Sequence, residues 1–199
     1  MLGCLAHPKS PELAQSCFEW GVSCDDRNIS AKLALAMVLR MKPTLQNLQC
    51  SADLCEKVIQ TLSLHPRDSI IHDDFKFGVD HLPYLGLAMS HLKMFFTTHS
   101  SDSLHTSLFN FKKAENANGG QYDPDLFYSR AIVWTYMEEY QFAIDDLEKA
   151  RQLDPSLAVS CQARVNGLKN WCKGVCSAVH VSLIFRNSNS YSFSSLLTM

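Results

Sequence analysis

The sequence has no surplus of positive charge. Eighteen Lys and Arg stand against twenty Asp and Glu, a net charge of −2. That argues against direct nucleic-acid binding, because phosphate contacts need clustered cations. No apolar run approaches the roughly 18 residues of a membrane-spanning helix, so no membrane partner is expected, and the opening residues do not read as a secretory signal. The eight cysteines are scattered. Cys50/Cys55 and Cys172/Cys176 lack both the CxxC spacing and the second pair that a zinc site uses. They read as reduced thiols of a protein of the cytoplasm and nucleus. A GxSxG elbow, a phosphate loop and an HExxH helix are also missing. No catalytic residue, cofactor or metal is therefore expected, nor any His within hydrogen-bond reach of a Ser, Cys or carboxylate in a pocket. An enzyme with an unrecognised site ranks last among the readings.

What is present is helical periodicity. Apolar content is 46%, and the length suits one domain or about four to five stacked helix pairs. Residues 124–157 organise the rest. They read as two short amphipathic helices, about 125–137 and 140–153, that turn at Glu138-Glu139. Ala131, Ala143 and Ala150 fall where two helix axes must approach, and Phe127, Trp134, Tyr140 and Leu147 fill the space between. Asp154-Pro155 ends the second helix, since proline has no N–H and disfavours helix in the residue before it. Aromatic, small, aromatic, Ala, bulky and closing Pro at these offsets form the tetratricopeptide pattern, of about 34 residues per unit. The fold class expected is all-α, a solenoid of helix pairs over residues 11–171.

The same pattern runs through the earlier chain. Pro11 onward resembles a second helix of a repeat, with Ala14, Phe18 and Gly21 at its small and bulky places. Its own first helix is largely missing, which leaves Leu13, Cys17 and Trp20 on an apolar face with no cap. Asn28 to Met41 is the next first helix, with Lys32 where an aromatic is usual. A long connection around Pro43 then leads to a helix 51–64, with Ser51 as its N-cap. Residues 67–83 break the period and read as an inserted loop. Its His72, Asp73, Asp74, Asp80 and His81 are better explained as a polar surface than as metal ligands. Tyr84 to Phe96 returns to the pattern, with His91 as a packing residue, and Leu104 to Glu115 follows after a loop at 97–102. Glu138, Glu139, Asp145, Asp146 and Glu148 read as a solvated helical face. Residues 158–171 form a capping helix. Residues 172–199 read as an unstructured or weakly structured tail, although 175–185 could make a short strand.

In such an array the first helices line a concave face, and places 2, 5, 9, 12 and 13 of each repeat point into it. For the last repeat these are Asp125, Tyr128, Ile132, Thr135 and Tyr136. For the repeat before they include Leu85, Met89 and Leu92, and Arg40 takes place 12 one repeat earlier. A mixed groove with one cation and one anion suits a short peptide carrying both charges. A co-chaperone or assembly adaptor is the alternative. A carboxylate clamp would use Lys and Asn at places 5 and 9, and Leu85, Met89, Tyr128 and Ile132 stand there instead.

SCFEWGVSC, ALAMVLR, YLGLAMSHLKMFF, DPDLFYSRA and LDPSL together resemble the Strap family of tetratricopeptide cofactors, over about residues 14–170. The resemblance implies an array of helical repeats followed by an oligonucleotide-binding-type barrel. It implies two roles: scaffolding histone acetyltransferase coactivators in the stress response, and recognising the nascent tubulin N-terminus to trigger tubulin mRNA decay. Arg40 and Asp125 match the charged residues that would pair with Glu and Arg near the start of a tubulin chain. A further acidic contact of the family falls on Val159. The chain departs from the family at both ends, with the early repeats absent and nothing after Trp171 resembling the barrel. Replacing Ala143 or Ala150 by Leu should overpack the last pair and cost on the order of 1–3 kcal/mol. Denaturant titration, followed through a helical far-UV signal, measures that cost.

Overall fold

The computed structural model describes residues 10–64 and 80–176, with side chains as far as Trp171. Among the described residues eight α-helices stand in chain order: α1 Pro11–Cys24, α2 Ile29–Met41, α3 Leu45–Leu64, α4 Leu82–Thr98, α5 Ser101–Asn116, α6 Pro124–Tyr136, α7 Tyr140–Leu153 and α8 Ala158–Cys176. No strand occurs among the described residues. Each helix packs against its chain neighbour, and α4 also touches α2 and α6. Alternate helices therefore run parallel, with α2, α4, α6 and α8 forming one layer. The all-α helix-pair solenoid expected from the periodicity is the fold observed.

Local chemistry sets the boundaries. Ser10, Asn28 and Asp123 cap α1, α2 and α6 by accepting backbone N–H bonds from Leu13, Ala31, and Asp125 with Leu126, which satisfies donors that a helix start leaves unpaired. Pro11 and Pro124 occupy first-turn positions, where a missing N–H costs nothing. The tight turn from α6 to α7 is made by Glu138 in the left-handed region, at φ 64°. His99 does the same between α4 and α5, at φ 56°, so that connection is far shorter than the loop expected over 97–102.

Several sequence expectations change. The helix expected from Ser51 begins six residues sooner, at Leu45 (51 − 45 = 6). Thr44 supplies the cap, its Oγ1 accepting from Asn47 N at 3.2 Å, so the connection around Pro43 is short. Ser51 lies inside α3, fully buried, and its hydroxyl donates to Ala36 O at 2.9 Å. Ser107 in α5 repeats that contact with Ala88 O at 2.8 Å. Ser51 therefore fills the small place of its repeat, where the helices approach too closely for a longer side chain. Lys32 takes its unexpected place by turning its ammonium outward to Asp26, at 3.1 Å. The closing helix runs on to Cys176, so residues 172–176, assigned to the tail, are helical. Within the inserted segment, Asp80 and His81 form a turn and Leu82-Pro83 already begins α4. His72, Asp73 and Asp74, and the tail after Cys176, lie outside the described residues.

The acidic face of α7 is not wholly solvated. Asp146 is only 6% exposed, because Arg130 reaches it across the α6–α7 pair with two bonds of 2.8 Å. The same guanidinium bonds Glu115 on α5 at 2.5 Å, and Lys149 joins Glu115 at 3.3 Å. One arginine thus ties three helices. Burial works against its charge, but the bonds to Asp146 and Glu115 raise its pKa above the ordinary guanidinium value. Burial likewise opposes the charge on Glu115, yet Arg130 and Lys149 hold its carboxyl below the ordinary value. Stability from Glu115 is present above its unfolded pKa and is lost as pH falls through the folded one. Asp146→Ala should cost about 3–5 kcal/mol by leaving the buried Arg130 with Glu115 alone, whereas Arg130→Met with Asp146→Leu should cost much less. Urea titration of the three chains checks this, and equal costs would contradict it.

Candidate functional site

The parallel layer of α2, α4, α6 and α8 carries the groove positions read from the repeat spacing. Leu85 and Met89 on α4 and Tyr128 and Ile132 on α6 are half-buried and pack on one apolar cluster with Ala88, Phe127 and Ala131. Tyr136 is 44% exposed. Its ring lies 5.2 Å from Phe95 and 5.3 Å from Phe96, edge-on to both, so α4 and α6 present a joint aromatic platform at their C-terminal ends. Thr135 spends its hydroxyl proton on Ala131 O of its own helix at 2.8 Å. Leu92, at the same repeat place as Thr135, is only 3% exposed and belongs to the core rather than the groove.

Arg40 sits in the seam between α2, α3 and α4. Its Nη1 donates to Ser51 Oγ at 3.0 Å, and Ser51 Oγ is 3.0 Å from Ser90 Oγ. Gly86 makes this possible: a Cβ there would stand 2.7 Å from Cys55 Sγ and 3.3 Å from Arg40 Nη1. Lys93 lies alongside and donates its ammonium to Arg40 O at 2.7 Å. Burial lowers the pKa of Arg40. Burial and then the Arg40 charge lower that of Lys93. Among the described residues no carboxylate is within ion-pair distance of either cation. Taking a charge out of water without a counter-ion is costly.

Asp125 shows the converse. It stands exposed in the first turn of α6, and no cation of the described residues pairs with it. Partial burial, then the carboxylates of Asp123 and Asp154, raise its pKa. Asp123 is itself engaged, since its Oδ2 is 2.8 Å from His81 Nε2. That contact lines neither of the two pockets described among these residues, so it is not the pocket arrangement that the sequence speaks against. Asn118 O lies 3.3 Å from the other ring nitrogen, so His81 pins the start of α4 to the cap of α6. This is an architectural role. The structure therefore gathers Tyr128, Ile132, Thr135 and Tyr136 on α6 and sets Leu85 and Met89 beside them. It leaves Arg40 and Asp125 on different helices, near opposite ends of parallel axes.

Spacing alone missed Gly86, Ser90 and Arg164, whereas Lys93 follows Leu92 at place 13 of the repeat. Arg164 on α8 donates from Nε to Tyr128 Oη at 2.9 Å, with its guanidinium carbon 5.2 Å above that ring. Continuing the repeat from 158 puts Arg164 at place 7, outside the groove places, so spacing gave no signal for it. His91 is half-buried between α3 and α4, and burial lowers its pKa, in keeping with packing. No group of residues that could hold a metal ion occurs among the described residues, and no helix of the described residues is long and apolar enough to cross a membrane.

No family model and no curated protein matches the chain. Among solved structures, the crystal structure of MamA is similar, with a TM-score of 0.61 and 14% identity. The match covers 87% of this chain and 85% of that one. At that identity the likeness is one of fold, and it agrees with the repeat periodicity.

The raised pKa of Asp125 means that the native state takes up a proton there before the unfolded chain does. Its contribution to stability should fall as pH rises from the unfolded value through the folded one. Asp154→Asn should move the Asp125 midpoint down towards the ordinary aspartate value. A carbon-detected NMR titration reads that midpoint directly, and an unchanged value would remove Asp154 from the site.

Proposed function

We propose that the chain is a non-enzymatic peptide-binding scaffold of the Strap type, active in the cytoplasm and nucleus, whose first-helix layer holds a short peptide carrying charges of both signs. One observation carries the reading. Arg40 and Asp125 are charges of opposite sign, each without an ionic partner among the described residues, on the same helix layer. A peptide carboxylate would compensate Arg40 and Lys93, and a peptide guanidinium or ammonium would relieve Asp125 of its acidic neighbours. Between them Leu85, Met89, Tyr128, Ile132, Thr135 and Tyr136 offer an apolar and aromatic floor. On the family resemblance, the nascent tubulin N-terminus and histone acetyltransferase coactivators are the partners to test. The co-chaperone alternative has less support, because apolar and aromatic side chains occupy the clamp positions.

A shielded charge-paired contact contributes roughly 1–3 kcal/mol, up to about a hundredfold in affinity. Fluorescence anisotropy with an unmodified tubulin N-terminal peptide should show saturable binding that Arg40→Glu abolishes. Binding to Arg40→Glu should partly return when the peptide Glu is replaced by Lys or Arg. Because Arg40 is tied into a helix seam, Asp125→Lys provides an exposed counterpart whose fold is not at issue, and it should weaken the same peptide. Val159, 83% exposed, stands where the family resemblance places an acidic contact, so Val159→Glu should tighten binding severalfold. The absence of any saturable binding, or full affinity in both charge reversals, would refute the groove.

A further inference from the structure

Place 12 of the repeat points into the seam between successive first helices, and the three seams are filled differently. Arg40 fills the seam between α2 and α4, where its Nη1 comes within 3.3 Å of the Cβ position of Gly86. Leu92 is buried at the same place of α4. Thr135 is too short to close the seam between α6 and α8. There α6 and α8 leave a cavity of about 170 Å³, walled by Ile132, Leu147 and Leu168 with Thr135, Arg164 and Gly167. Gly167 enlarges it, since a Cβ at that position would meet nothing within 4 Å.

The polar feature of this cavity is Arg164. Its Nε is held by Tyr128 and its carbon rests over the Tyr128 ring, which fixes the plane of the guanidinium. Its Nη groups make no hydrogen bond to a described residue, and no described carboxylate lies in ion-pair range. Other cations of this end are engaged: Lys169 is 3.6 Å from Glu148, and Arg151 donates to Gln162 at 3.3 Å. An oriented guanidinium with unused donors is suited to a carboxylate. The aliphatic cavity beside it is suited to a branched side chain.

We propose that the seam of α6 and α8 is a subsite for an acidic side chain followed by an aliphatic one in a bound peptide, the carboxylate on Arg164 and the aliphatic group in the cavity. This rests on the peptide-binding reading of the groove and adds a second specificity element, distinct from Arg40 and Asp125. An internal acidic residue is favoured over a free C-terminus. A terminal carboxylate is held by several convergent donors, whereas this seam offers one guanidinium and leaves the chain path open.

The test uses the full chain and the blocked peptide Ac-Gly-Ser-Glu-Leu-Ser-Gly-NH2, followed by backbone amide NMR. Saturable shifts should appear at Thr135, Arg164 and Gly167. Affinity should fall about tenfold or more when Glu is replaced by Gln, and it should also fall when Leu is replaced by Gly. Arg164→Gln should reproduce the first loss. Gly167→Leu should reproduce the second by filling the cavity, and because it removes a helix-interior glycine it should not destabilise the fold. Unchanged affinity in both variants would overturn the subsite, as would tighter binding of Ac-Gly-Ser-Leu-OH with its free carboxylate. If the tubulin peptide still binds while these peptides show no dependence on Glu and Leu, this subsite alone is wrong. If neither binds, the groove reading falls with it.

Discussion

Helix contacts in this array are made at side chains too small to keep two helix axes apart. Ala36, Ala52, Ala88, Ala114, Ala131, Ala143 and Ala150 are essentially inaccessible, and so are Ser51, Ser90 and Ser107. Isolated helices of this length are marginal in water, so the helices exist because they pack, and they pack because these positions let them approach. Larger groups such as Phe111, Phe127 and Leu147 then interlock around the contact points. A methylene added at one alanine pushes two axes apart and is felt along the stack, because each pair is the packing surface for the next.

The pairing logic was legible wherever small and bulky residues recur at helical spacing, which is why α6 and α7 were placed within a residue or two. It failed where chemistry belongs to tertiary neighbours. Ser51 looks like an N-cap because caps are recognised by residue type, and type cannot distinguish a serine that starts a helix from one buried against Ala36 O. Asp146 looks like one more acidic residue on a polar face until Arg130 arrives from another helix. Of the groove, the α6 positions were readable from the repeat. The seam around Arg40 was not, because Gly86 and Ser90 reach it from α4 and Ser51 from α3, none of them at a groove place of the repeat.

The outer surface shows how differently exposed apolar groups are treated. Trp134 and Phe142 stack at 5.0 Å, and Lys112 lies 5.2 Å over the indole. These aromatics touch one another and keep a cation beside them, although Phe142 is itself 54% exposed. Trp20 on α1 is 69% exposed, and Leu13 is also exposed on that helix, with no such cation of the described residues beside them. Apolar area of that kind is free to associate.

Three arginines in one scaffold separate the architectural from the functional. Arg130 is surrounded by Asp146 and Glu115 and directed towards α5 and α7, so its charge is compensated and its removal should register as stability. Arg40 and Arg164 lie in the seams of the first-helix layer, anchored by hydroxyls of Ser51 and Tyr128 rather than by carboxylates. A hydroxyl orients a guanidinium without neutralising it. Holding a cation in a fixed plane, partly desolvated and lacking a counter-ion, costs stability and prepares it for an anion from outside. Arg40, Arg164 and Asp125 all belong to the first-helix layer, while the buried compensated network of Arg130 faces the second helices. On the peptide-binding reading proposed above, that division of charge, more than the fold itself, is the argument for one face of the array.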